Sequence, residues 1–278
     1  MLDIFYKDGE WLDGSAVTQD LRGRGFAFGY GVFETMKFVA GQPCFFAEHC
    51  ERLHRGVKAA GLEIVIDSAA LREIARELFL RNEASDGVFK IVVWDELEGP
   101  CLAMFVRSVE DGDGPEEAKL LQSPVAKASK AFTSRHKSLN YMESVLQLAH
   151  ARQEGYTECV FTNELNQLTE CAVANLFFVR DGVLNTPSID CGLLDGIVRS
   201  KIMDLARSIG VEVKQGRFSV EDLLSAQEAF LTSSGKGPRP AARFRSLDGR
   251  EAIFESRSMV DRLLPLYRQL EEESVKSD

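Results

Sequence analysis

The sequence contains no C-x-x-C pair among its six cysteines and no H-E-x-x-H among its four histidines. Cys44, Cys50, Cys101, Cys159, Cys171 and Cys191 are scattered, and His49 and His54 stand five apart. That pattern excludes a zinc ribbon, a dithiol redox motif and a helical zinc site, so reduced, mostly buried thiols and no metal are expected. No stretch approaches the roughly 18 apolar residues that span a bilayer. The start, "MLDIFYKDGEWLDG", has neither the basic nor the apolar region of a signal peptide, which implies a soluble, cytoplasmic protein without a membrane partner. Basic residues are in the minority, 33 Lys and Arg against 43 Asp and Glu, for a net charge of −10. No nucleic-acid footprint exists in such a chain. Internal repeats and low-complexity runs are missing too.

What is present is a globular composition, 45% apolar over 278 residues, enough for one large domain or two ordinary ones. "VFETMKFVAGQPCFF" reads as two strands about a Gly41-Gln42-Pro43 turn. Helical spacing of apolar residues predicts helices over 48–60 and 68–81, and "VFKIVVW" and "CLAMFVR" read as strands. "EDGDGPEE", 110–117, is the linker candidate and divides the chain into an N-terminal α+β domain, 1–114, and a C-terminal domain, 115–278. Beyond it, "ECVFT" and "EAFLTS" read as strands, and "ANLFFVRDGVLN" as a hairpin turning at Asp181-Gly182. Helices are expected over 197–209, over 220–225 with Ser219 and Asp222 as a capping box, and over 255–272. Strands mixed with helices without strict βαβ order give an α+β fold.

The motifs are weak singly. "GRGFAFGYG" displaces the third glycine of G-x-G-x-x-G, and "SSGKGP" lacks the spacing of a P-loop. Gly196 in "LLDGIVRS" stands at a helix start, where free N–H groups and the dipole favour a phosphate. Ser233, Ser234 and Gly235 form a second small polar loop after a strand. Lys137, in "HKSLNYME", is a solvated charge or a nucleophilic amine. Arg52 has the look of a helix surface residue and Glu170 that of a strand-end carboxylate. Together, however, a turn-borne lysine, two phosphate cradles, an arginine and a carboxylate supply what pyridoxal 5′-phosphate requires: an amine for its aldehyde, donors for its phosphate and an acid for its ring nitrogen.

The chain resembles the class IV aminotransferases, the fold-type-IV pyridoxal-phosphate enzymes. "RGFAFGYGVFETMKF", "EHCERLHRG", "KSLNYMESVLQLAHARQEGYTECVFTN", "LTECAVANLFFVRDGVLNTP", "CGLLDGIVRS" and "AFLTSSGKGPRP" carry the likeness in order along nearly the whole length. The resemblance implies two domains, a smaller α/β sandwich and a larger mixed α/β barrel-like domain, with the cofactor between them and a homodimer in solution. It implies that Lys137 is the Schiff-base lysine, that Arg52 and Ser234 bind the phosphate with the backbone of Ile197 and Val198, and that Glu170 faces the pyridine nitrogen. Tyr141 would approach the ring hydroxyl and Leu194 would pack on the ring. Phe28 and Phe33 would line the substrate side, and Trp94, Gly235 and Arg239 of this chain are further candidates there.

Departures bear on the substrate. Trp94-Asp95-Glu96 stands where relatives carry "TRG", "TECAV" where "TEGSS" is usual, and "SSGKGPRP" brings Lys236 and Arg239 into a loop. Those two cations are the candidate receptors for a second substrate carboxylate; the alternative is that both side chains point to solvent. The resemblance implies transamination between an amino acid and a 2-oxo acid. Its alternatives are aminodeoxychorismate lysis to pyruvate and 4-aminobenzoate, or a non-catalytic paralogue that binds the cofactor or a metabolite.

Overall fold

The computed structural model describes residues 3–107 and 117–276. The expected linker and domain boundary lie outside the described residues but for Glu117, which pairs with Arg257 at 3.0 Å. The fold is α+β and divides into two compact units. One takes in Met1–Asp113, His136–Asn140 and Glu271–Asp278, and the other Gly114–Arg135 and Tyr141–Leu270.

The first unit contains β1 (Ile4–Lys7), β2 (Glu10–Asp13), α1 (Arg24–Phe28), β3 (Gly31–Val39), β4 (Gln42–Pro43), α2 (Phe46–Ala59), α3 (Ser68–Arg81), β5 (Gly87–Glu96) and β6 (Gly99–Arg107). The strands form one antiparallel sheet in the order β2-β1-β6-β5-β3-β4. Alternation gives the sheet two faces. Val32, Met36, Phe38, Phe89, Ile91 and Val93 turn one way and meet Leu53 and Val57 of α2 and Leu71, Leu78 and Phe79 of α3 in the core. Phe38 and Phe79 stack at 3.9 Å. The opposite face carries Phe33, Thr35, Lys90, Val92 and Trp94, with Thr35 paired to Lys90 and Phe33 to Val92. The apolar run "CFF" does not extend a strand. Phe45 adopts φ 52°, and the turn it makes starts α2 at Phe46.

The second unit contains β7 (Ala118–Lys127), α4 (Phe132–Arg135), α5 (Met142–Gln153), β8 (Glu158–Asn163), β9 (Leu168–Cys171), β10 (Asn175–Arg180), β11 (Val183–Pro187), α6 (Ile197–Ser208), β12 (Val213–Gly216), α7 (Val220–Leu224), β13 (Glu228–Ser233), β14 (Gly237–Arg245), β15 (Glu251–Ile253) and the part of α8 (Ser258–Lys276) that ends at Leu270. Its mixed sheet runs β12-β11-β10-β13-β14-β7-β8-β9, with β15 on β14. The sheet curls, so that its end strand β9 returns to β10 and the Cys171 N–H donates to Ala174 O at 2.8 Å. Asp181 and Gly182 both take positive φ, the turn that twists a two-residue hairpin correctly. Ser219 and Asp222 form the capping box that starts α7. "GKGPRP" is not a loop beyond Lys236. Gly237 opens β14, and Pro238, Arg239 and Pro240 pair with Thr232, Leu231 and Phe230.

Candidate functional site

Lys137 is set by backbone. The Phe33 N–H donates to Lys137 O at 2.8 Å, the Leu139 N–H donates to Gly31 O at 2.9 Å, and Val32 and Ser138 form a lone antiparallel bridge. The segment His136–Asn140, from far along the chain, thus lies against β3. Glycine at 31 is what allows the approach, since a Cβ there would meet Val93 O at 2.5 Å and Leu139 Cδ1 at 2.7 Å. The Lys137 ammonium stands 4.6 Å from the Phe33 ring centroid, and Lys90 Nζ lies at the same distance from that ring. Lys90 is half-buried and has no carboxylate or hydrogen-bond partner among the described residues. Burial, then the charge of Arg107, holds its amine below the ordinary lysine value.

Arg52 does not stand on a solvated helix face. Its Nε and Nη2 donate to Glu34 Oε1 and Oε2, both at 2.7 Å. The His49 ring nitrogen Nδ1 lies 2.7 Å from the same Oε2. Glu34 and His49 are both fully buried. Burial pushes the Glu34 carboxyl up, but Arg52 and His49 outweigh it and bring the group down to about 2. Burial pushes His49 below its usual value despite Glu34, so the ring is neutral and its Nδ1–H donates to the carboxylate.

In the second unit Glu170, 9% exposed on β9, is the centre of a fixed network. Lys127, the last residue of β7, donates to Oε1 at 2.6 Å while its ammonium lies 4.8 Å from the Phe161 ring. The Leu194 N–H and Asn175 Nδ2 donate to Oε2 at 3.1 and 3.3 Å. Asn175 also donates to Leu194 O at 2.9 Å. Gly196 is required here too, because a Cβ would fall 1.9 Å from Asn175 Oδ1. It is the N-cap of α6, with no side chain to cap the first turn, and Ile197 and Val198 open the helix as expected. Arg199, fully buried one residue further on, ties that turn to Thr186 Oγ1, Pro187 O and Gln215 Oε1.

The other expected residues lie on separate elements. Ser234 and Gly235 form the turn between β13 and β14. The preceding Thr232 has a buried hydroxyl with no hydrogen-bond partner among the described residues. Tyr141 is the N-cap of α5. Trp94 is buried and its indole donates to Glu96 Oε1 at 2.9 Å, whereas Phe28 is 72% exposed at the end of α1. Arg239, expected in a loop, lies in β14, where its charge bears on the buried Glu158. Glu34, His49, Lys90, Lys127 and Asn175 were not expected. Glu34 and Lys90 had a signal: each is a lone charge inside an apolar strand run, "VFETMKF" and "VFKIVVW". The cysteines are all unpaired, and burial pushes Cys44, Cys50 and Cys159 up to about 12, out of range for thiolate chemistry.

Residues 31–244 match the model of the amino-transferase class IV family. Among curated relatives, the aminodeoxychorismate lyase of Bacillus subtilis (strain 168) is 27% identical over 245 residues, covering 83% of each chain. A D-alanine aminotransferase of Listeria monocytogenes serotype 1/2a (strain 10403S) is 29% identical over 234 residues, 78% of this chain and 79% of its own. Among solved structures, a T.th. branched-chain amino acid aminotransferase with pyridoxamine 5′-phosphate superimposes with a TM-score of 0.86 at 22% identity, covering 97% of this chain and 94% of that one.

Proposed function

Since the chain belongs to the class IV aminotransferases, we propose that it is a pyridoxal-phosphate enzyme that moves an amino group between an amino acid and a 2-oxo acid, with Lys137 as the residue that bears the cofactor. The observation that carries this reading is the backbone clamp on Lys137, which fixes its amine over Phe33 instead of leaving it on a free loop. The residues present fit the cofactor. The uncapped first turn of α6 and the unpartnered Thr232 hydroxyl suit a phosphate, and the Glu170 carboxylate suits a protonated ring nitrogen.

When bound, pyridoxal phosphate supplies an electrophilic carbon and an electron sink. Lys137 would hold it, and its amine would carry a proton to and from the substrate Cα. Arg52 and Ser234, with the Ile197 and Val198 N–H groups, would hold the phosphate. Glu170 would keep the ring nitrogen charged, Tyr141 would meet the ring hydroxyl and Leu194 would pack beside the ring. Lys90 would receive a second substrate carboxylate, because it is a half-buried cation with no acid partner among the described residues, on the sheet face that carries Phe33.

Aminodeoxychorismate lysis is the second reading, supported by the name of the Bacillus subtilis relative. The same lysine and carboxylate serve both reactions. Borohydride reduction of the loaded protein, followed by mass spectrometry, should place the cofactor on Lys137; an adduct on another lysine removes that assignment. Single-turnover spectra with L- and D-amino acids, beside an assay for 4-aminobenzoate release, decide between transfer and lysis.

A further inference from the structure

Lys127 has no part in the proposed function, yet it makes the shortest contact of the Glu170 carboxylate, 2.6 Å to Oε1. It is a residue of β7, and β7 pairs in parallel with β8, which reaches β9 and Glu170. The lysine therefore arrives at Glu170 across two strands, not as a chain neighbour. Its stem and head are largely enclosed, with the Phe161 ring 4.8 Å from Nζ. The remaining donors to the carboxylate, the Leu194 N–H and the Asn175 amide, are neutral. Lys127 is the one cation paired with Glu170 among the described residues.

We infer that Lys127 is a positioning residue that decides on which side of the Glu170 contact the ring nitrogen's proton resides. This rests on the reading that Glu170 faces that nitrogen. A carboxylate buried nine-tenths from water takes up a proton readily unless a cation stabilises its charge. With the ammonium on Oε1, Glu170 stays an anion and accepts a hydrogen bond from a ring N–H, so the charge remains on the ring. Without it, only two neutral donors and the more distant charge of the buried Arg199, which makes no ion pair with Glu170, oppose the burial, and the carboxylate becomes the stronger claimant for the shared proton. The proton then moves from nitrogen to oxygen, the ring is neutral and its capacity to draw electrons from the substrate Cα falls. Lys127 touches neither cofactor nor substrate in this account. It acts through Glu170, and the two form a net-neutral pair, so the site gains an ionised acid without a net buried charge.

The test reads the nitrogen itself. Pyridoxal phosphate enriched with 15N in the ring is loaded on the full-length protein, on Lys127→Met, on Lys127→Arg and on Glu170→Gln, and the ring 15N resonance is recorded at one pH. The expected result is a protonated nitrogen in the parent and in Lys127→Arg, with a displacement toward the unprotonated position in Lys127→Met. Lys127→Gln, which keeps a donor without charge, gives the same displacement if Lys127→Met does not fold. Loss of the purely structural contact would not spare Lys127→Arg while moving both neutral variants. If Glu170→Gln moves the resonance and the neutral Lys127 variants do not, the inference about Lys127 is wrong. If Glu170→Gln also leaves it unmoved, the placement of Glu170 against the ring has failed, and the inference falls with it.

Discussion

Glu158 offers a sharp test of the electrostatics of the second unit. The residue opens β8 with its side chain fully buried, and one oxygen, Oε1, accepts both the Cys159 N–H at 2.9 Å and the Ala172 N–H at 3.0 Å. Burial, opposed by these bonds and by the charge of Arg239, pushes the carboxyl up from its ordinary 4.5 to about 7. Its affinity for a proton is thus higher in the folded chain than in the unfolded one. Stability must then decline as pH rises from about 4.5 to 7, and the full penalty is present above 7. At about 1.4 kcal/mol for each tenfold in proton affinity, the gap amounts to about 3 kcal/mol. Glu158→Gln keeps an Oε1 acceptor for both N–H groups and never ionises. It should match the parent near pH 4 and exceed it above pH 7, by up to about 3 kcal/mol or roughly 5 °C in melting temperature for a chain of this length. Thermal melts from pH 4 to 8 read the difference. A variant whose melting temperature follows the parent at every pH, or falls below it at pH 8, refutes the reasoning.

The other predictions concern the site. Glu170→Gln should reduce kcat far more than it weakens cofactor binding, because an electron sink acts in the transition state; comparable turnover in the two proteins removes the role. Lys90→Ala should raise KM for dicarboxylic substrates roughly 10-fold or more and spare small apolar amino acids, a charge-assisted hydrogen bond having been lost. Arg239→Ala is the comparison, and a selective rise in KM there, with none at Lys90, would assign the carboxylate to Arg239 instead. Gly196→Ala forces Asn175 away from Glu170 and Leu194, and should cost about 1–3 kcal/mol of stability along with cofactor affinity, measured by melts and by titration.

Much of the architecture is legible where local chemistry is strong. Ser68–Arg81 and Glu228–Ser233 form with the expected bounds, as do the Asp181-Gly182 turn and the Ser219–Asp222 box. Each is specified by residues within a few positions of one another. The β14 strand was hidden by Pro238 and Pro240, residues that argue against a strand unless the ladder can dispense with their N–H groups. Glu10–Asp13 and Ala118–Lys127 were hidden because short or half-polar strands lack a clear alternation. For the site, sequence motifs indicated the residues proposed to meet the cofactor but not those that hold them. Glu34 lies 18 positions from Arg52, and Lys127 43 positions from Glu170. Pairings of that range are created by sheet register and leave no periodic trace.

The attachment of residues 136–140 to β3 also has a bearing on how the chain folds. Lys137 and Phe33 are about a hundred residues apart, so their contact closes a long loop and is favoured only after both ends are ordered. The antiparallel sheet of the first unit can form from residues synthesised earlier, with the edge of β3 near Gly31 left open. On refolding, the native sheet signal should therefore precede the capacity to bind the cofactor covalently. Protection of the Leu139 amide against hydrogen exchange would report the moment at which the lysine is delivered.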